Sequence, residues 1–156
     1  KWAVDLGGCL THRLNRNDAL MLKENDLVAY GDDDISRVQN AVLALETDES
    51  HAFIEIETTS AKQALAAALA WSQHRTNMGD MPLVIMLDNF GPDACKDVAS
   101  EMEELGVREH VILEASGGIT IEGLGDWKES GMDVVSTSAV NRGVAPLDLT
   151  MLMDGV

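Results

Sequence analysis

Polar residues able to do chemistry recur just after short apolar runs. Lys23-Glu24-Asn25 follows ALML, and Glu57 closes FIEIE. Asp88-Asn89 follows LVIML, Glu114 comes shortly before Ser116-Gly117-Gly118, and Ser136-Thr137-Ser138 follows DVV. Carboxylates such as Glu57 and Asp88 suit two sugar hydroxyls or a Mg2+ ion carried on a diphosphate; the alternative is a solvated pair. A Ser-Gly-Gly turn lets backbone N–H groups approach an anion, and a following helix would add its dipole. Ser138-Ala139 offers a second such turn, with Arg142 nearby. His12-Arg13, with Arg16 and Lys23, combines planar donors and a point charge, a set suited to a small polycarboxylate. No Ser-His or Cys-His pairing suggests a protein nucleophile, and no residue set is assigned as a metal-ligand cluster.

These groups meet only if the apolar runs are neighbouring strands pointing the same way. The spacing predicts a strand over 19–23 and a helix over 34–45, capped by 32–34. Residues 52–58 alternate, Ile54 and Ile56 on one face and Glu55 and Glu57 on the other. Glu55 lies one step deeper, and a buried carboxylate there demands a partner. Ser60 caps an Ala-rich helix over 61–74. A strand over 83–87 precedes a helix opened by Pro92 and running to about 105. A strand over 111–115, a shorter helix from Thr120 and a last strand over 133–136 follow; the tail from Pro146 carries no assignment. Trp2, Trp71 and Trp127 read as core or helix-packing residues, and His51, His74 and His110 as surface or packing residues.

Strand and helix alternate about four times, which means βαβ units and a parallel sheet. Continuous apolar strands agree with burial on both faces. A barrel and an open doubly wound sheet both satisfy this pattern, and both bind ligands at the carboxyl ends of their strands. A complete eight-fold barrel takes about 250 residues. In the barrel reading, residues 1–156 are therefore a single α/β domain within a longer protein, with strands missing upstream of Lys1.

Composition narrows the class. The chain has 156 residues, 46% of them apolar, enough for a core. With 27 acidic against 11 Lys and Arg residues, its net charge is −16, which excludes a basic nucleic-acid-binding face. An acidic protein that handles a phosphorylated anion must concentrate its few cations at the site. No apolar run is long enough to span a membrane. Cys9 and Cys95 form no metal-type pair and suit a reducing, cytoplasmic setting. Cys9, beside two glycines, reads as a small residue in a tight turn.

Five ordered segments, GGCLTHRLNRNDALMLKEND, IEIET, VIMLDNF, LEASGGIT and GMDVVSTSAV, resemble the signature segments of quinolinate phosphoribosyltransferases. The resemblance covers almost the whole chain. It implies an open or incomplete TIM-like barrel (the type II phosphoribosyltransferase fold), preceded by an α+β domain, in a homodimer whose partner closes the site. It implies that quinolinate and phosphoribosyl pyrophosphate, with Mg2+, give nicotinate mononucleotide, pyrophosphate and CO2. His12 and Arg13 would then bind quinolinate carboxylates and Lys23 would contact substrate. Glu57 and Asp88 would hold the ribose hydroxyls, and Ser116, Gly117, Gly118, Ser138 and Ala139 the 5′-phosphate. Lys23, Glu57 and Asp88 are the catalytic assignments.

The chain departs from the family pattern at Asp26, where His is usual, at Ser138, where Gly is usual, and at Cys9, the third Gly of its motif. Asn141-Arg142-Gly143 replaces a T-H-S segment, so Arg142 stands in for the lost His as a phosphate contact. A basic T-R-K-T segment usual just upstream of the first residue is absent. These departures motivate an alternative: a divergent paralogue for another aromatic acid, or a non-catalytic binder of a phosphorylated ligand.

Overall fold

The computed structural model describes residues 1–46 and 51–142. Gly143 and the tail from Pro146 lie outside the described residues. Among the described residues, five strands, β1 (Leu20–Leu22), β2 (Ile54–Thr58), β3 (Leu83–Asp88), β4 (Val111–Ser116) and β5 (Val134–Val135), form one sheet. Helices are α1 (Trp2–Leu6), α2 (Glu24–Leu27), α3 (Asp34–Leu43), α4 (Ala61–His74) and α5 (Pro92–Glu104), with short 3-10 turns between.

The strands lie in sequence order, β1-β2-β3-β4-β5, and every neighbouring pair is parallel. Right-handed crossovers between strands that always advance in one direction deposit their helices on one face. A doubly wound sheet would reverse direction at a switch point and cover both faces. The described order never reverses, so the doubly wound alternative falls away and an open, single-sided α/β sheet remains.

Register divides the sheet into two chemistries. Leu20, Ile54, Leu83 and Val111 pair across it, as do Leu22, Ile56, Ile85 and Leu113. These side chains share one core with Val38, Val42, Trp71, Val98 and Met102 of the helices. Period two sends the intervening residues to the opposite, open face. There Met21 stands beside Glu55 and Val84, Glu57 beside Met86 and Glu114, and Asp88 beside Ser116.

Local chemistry sets the helix ends. Asp33 accepts hydrogen bonds from the N–H groups of Ile35 and Ser36 and starts α3; these bonds hold its carboxyl below its ordinary range. Ser60 Oγ accepts from Gln63 N at 3.3 Å and starts α4, which spans the expected residues. Pro92 fills the first turn of α5.

Other expectations shift. The helix expected from Thr120 is a 3-10 stretch, Glu122–Trp127, because EGLGDW carries two glycines that weaken an α-helix. The last strand contracts to two residues. Asp133, expected inside it, turns its carboxylate to Leu113 N (2.8 Å) and Arg108 (2.9 Å). Trp2, expected to pack, is 86% exposed: the five-residue α1 has no buried side. Trp71 is buried, and Trp127 packs partly buried against the core.

Candidate active site

Most of the strand-end groups singled out in the sequence do line one rim of the open face. Lys23 follows β1 and faces Glu57 of β2, because the pairing of Leu22 with Ile56 places the next residues side by side. Its ammonium forms an ion pair with the Glu57 carboxylate. Lys23 is half exposed while Glu57 keeps only 16% of its side chain in solvent, so the pair stands at a wet edge, where it adds little stability. Asp26, in the position where His was expected, accepts from Lys23 N at 3.0 Å and starts α2. One of its two carboxylate oxygens is engaged in this cap.

Asp88 ends β3 opposite Ser116 of β4. Asn89 Nδ2 donates to Asp88 Oδ2 at 2.6 Å, and Asn89 N donates to Ser116 O at 2.8 Å. Asn89 takes a left-handed conformation, φ 61°, which Asn tolerates better than most residues. This strained turn presses against the Gly-Gly turn. A Cβ on Gly117 would meet Asn89 N at 2.8 Å, whereas a Cβ on Gly118 would meet open space. The two glycines therefore differ in task. Gly117 permits close packing of two turns, and Gly118 borders open space.

The second turn lies against the first: Thr137 Oγ1 donates to Ile119 O at 2.5 Å. The same hydroxyl accepts from Ala139 N at 3.0 Å, which takes that amide away from an incoming anion. Ser138 caps a single 3-10 turn, Ala139–Asn141, and Arg142 follows it, exposed. Neither turn opens an α-helix, so the phosphate cup expected from the sequence loses its helix dipoles and retains amides, hydroxyls and Arg142.

The set His12, Arg13 and Lys23, expected to act together, is distributed along the face. Arg13 donates to Ala19 O at 3.0 Å and approaches Met21 Sδ at 3.6 Å. This places it at the β1 edge, below Lys23. His12 reaches deeper, with Nε2 2.9 Å from Glu55 Oε2 and 3.9 Å from Glu114 Oε1. Phe53 packs edge-on against its ring at 5.8 Å. The charged group that approaches buried Glu55 is therefore His12, without an aligned hydrogen bond between them. Glu114, which reads as a rim residue in the sequence, is instead 4% exposed and faces the same histidine.

Proximity shifts both groups. The Glu55 carboxylate, with help from Glu114, holds the His12 imidazolium pKa above its ordinary value against burial and the nearby Lys1 charge. Burial, with the adjacent Glu55 charge, pushes the Glu114 carboxyl up, while Ser136 and His12 pull it back. The sequence signals that could have found this cluster were the alternation that places Glu55 on the face of Glu57, and the two-residue step from Glu114 to Ser116.

The profile of the family described as quinolinate phosphoribosyl transferase, C-terminal domain, matches residues 1–152. A probable nicotinate-nucleotide pyrophosphorylase [carboxylating] of Methanothermobacter thermautotrophicus is 30% identical over the whole chain, which covers 51% of that protein. The quinolinate phosphoribosyltransferase [decarboxylating] 1b of Nicotiana tabacum is 30% identical over 99% of the chain and 44% of its own length. In three dimensions, the nicotinate-nucleotide pyrophosphorylase of Francisella tularensis superposes with a TM-score of 0.67 at 26% identity, over 92% of this chain and 44% of that one. The chain spans about half the length of the relatives it matches.

Proposed function

Because this chain belongs to the quinolinate phosphoribosyl transferase family, as its C-terminal domain, we propose that it carries the catalytic face of an enzyme that transfers phosphoribose to quinolinate with loss of CO2. The observation that carries this reading is the continuous rim of Lys23, Glu57, Asp88 and Ser116–Gly118 along adjacent strand ends. In it, the five strands are part of an incomplete barrel, and the half-length match supports further strands and a preceding α+β domain.

In the proposed reaction Glu57 and Asp88 face the ribose hydroxyls. As pyrophosphate departs, the sugar acquires oxocarbenium character, and two fixed carboxylates beside it stabilise that charge without reorganising. Lys23 balances Glu57 before the substrate arrives and supplies a cation to the aromatic acid when it does. Gly118 leaves room at the turn for the 5′-phosphate, and Arg142 supplies charge there. The quinolinate nitrogen forms the bond to the anomeric carbon as the bond to pyrophosphate breaks. The adjacent carboxylate then departs as CO2, the positive pyridinium nitrogen stabilises the electron pair left on the ring carbon, and that carbon takes up a proton from water to give the product. The protein positions the reactants and excludes water.

The acidic oxygens of Glu57 and Asp88 are hard donors at a wet rim, which fits Mg2+ arriving with the diphosphate. When bound there, it would neutralise the leaving group. Trp2, Leu6, Leu10 and Leu14 expose large apolar side chains along the N-terminal segment, which supports the homodimer reading. Both cysteines are free, which suits a reducing, cytoplasmic setting. No helix among the described residues is long and apolar enough to cross a membrane.

The test mixes the intact enzyme with quinolinate, phosphoribosyl pyrophosphate and Mg2+ and follows nicotinate mononucleotide by chromatography. Product is expected; a folded enzyme that forms none sinks the proposal. A second reading, a divergent binder, is favoured by the Ala139 amide already committed to Thr137. Calorimetric binding of phosphoribosyl pyrophosphate without turnover of any pyridine carboxylic acid would select it.

A further inference from the structure

Below the rim lies a cluster in which the family resemblance gives only His12 a role, toward a quinolinate carboxylate, and leaves Glu55 and Glu114 without one. Glu55 is fully buried and Glu114 nearly so, and His12 closes over both. One ligating atom from each residue lies within 4.8 Å of the other two. Nε2 of His12, both oxygens of Glu55 and Oε1 of Glu114 are buried without an aligned hydrogen-bond partner among the described residues. The 2.9 Å approach of His12 to Glu55 is thus close but not aimed as a hydrogen bond is.

The nearby cations are occupied elsewhere. Lys23 pairs with Glu57, and Arg13 bonds Ala19 O. Lys1 donates to the backbone oxygens of His12 and Arg13. Two buried carboxylates therefore face each other with one imidazole as their sole cationic partner among the described residues. Burying such charge without compensation is unfavourable, and buried charges are ordinarily paired or bound to metal.

We propose that His12, Glu55 and Glu114 hold one divalent first-row transition cation. One imidazole and two carboxylates suit Mn2+ or Zn2+, whereas Mg2+ prefers an all-oxygen shell. Metal–ligand bonds of about 2.0–2.2 Å put neighbouring ligands roughly 3–3.5 Å apart. The 2.9 and 3.9 Å separations in the cluster bracket that spacing. Three protein ligands leave a coordination position for water. The site lies apart from the Glu57–Asp88 rim and shares His12 with the expected quinolinate subsite, and metal binding in the absence of substrate does not depend on the reaction proposed at the rim.

The test titrates Mn2+, and separately Zn2+, into the chelator-stripped intact protein by calorimetry. Excess Mg2+ occupies the acidic surface, and neither quinolinate nor phosphoribosyl pyrophosphate is present. One tight equivalent per chain is expected. Loss of a direct ligand in Glu114→Gln or His12→Gln should weaken it by more than the roughly 10–100-fold typical of outer-shell partners, while Asp88→Asn should leave it unchanged. His12 is on a part-exposed loop, so its variant carries the test even where Glu114→Gln fails to fold. Co2+ substitution supplies an independent spectrum that should change in His12→Gln. No tight equivalent in the wild type overturns the proposal, as does retention in His12→Gln or loss confined to Asp88→Asn. Because no substrate enters these titrations, failure of the enzymatic reading leaves the outcome intact, and the converse holds.

Discussion

The two faces of the sheet are built from the same five strands and differ in almost everything else. The helix-side face is apolar at nearly every position and continuous with α3, α4 and α5. The open face alternates apolar residues such as Val84 and Met86 with Glu55, Glu57, Glu114 and Asp88. Strands of a parallel sheet ordinarily read as apolar on both sides. Carboxylates at the interior positions of β2 and β4 depart from that, and they do so only on the side away from the helices. One face is thus built to hold the fold together and the other to hold charge in place.

The largest break in this comparison should come from the helix-side face. Ile85 is fully buried there, and Ile85→Ala should lower unfolding free energy by about 2–5 kcal/mol in a urea titration. Asp88→Asn on the open face should change stability by less than about 0.5 kcal/mol yet reduce turnover by roughly a hundredfold or more. Comparable destabilisation by both variants would erase the division of labour.

The glycine pair sharpens the comparison at the rim. Gly117 and Gly118 both have positive φ, so an alanine at either should cost on the order of 1–2 kcal/mol. Gly117→Ala must also displace Asn89, so its melting temperature should fall further than that of Gly118→Ala. Gly118→Ala should instead weaken phosphoribosyl pyrophosphate binding more than its stability loss explains. A smaller effect belongs to Ser60→Ala, which removes the α4 cap for about 1 kcal/mol with turnover unchanged.

A further effect, confined to alkaline pH, is a pH dependence within the helix-side core. Burial pushes the Cys95 thiol from 9.0 up to about 11. The folded state therefore holds that proton more tightly than the unfolded chain does. Its contribution to stability is full below 9.0 and is lost as pH rises through about 11. Denaturation midpoints over that window should fall more steeply for the wild type than for Cys95→Ala. Exposed Cys9 should react with iodoacetamide in the native protein while Cys95 stays protected.

Much of this was legible in the residues. Alternation in IEIET placed Glu55 and Glu57 on one face, and the apolar runs LVIML and VIL marked the central strands. The Ala-rich segment after Ser60 declared α4 to the residue. The rim at Lys23, Glu57 and Asp88 follows from where the runs end. Less legible were short elements whose stability comes from packing. The stretch after Thr120 is 3-10 rather than α-helical, and Trp2 stands exposed because α1 is too short to bury a side. Glycine and length set those outcomes, and local apolar spacing does not weigh them.

What the sequence by itself determined is the alternation, the polar strand ends and the family signatures, because these depend on neighbours in the chain. What only the tertiary structure decided is which distant groups meet. The register of β2, β3 and β4 makes Glu55 and Glu114 face one histidine that arrives from the N-terminal loop. Contacts between residues dozens of positions apart depend on strand pairing and loop path, and short-range patterns carry no record of either.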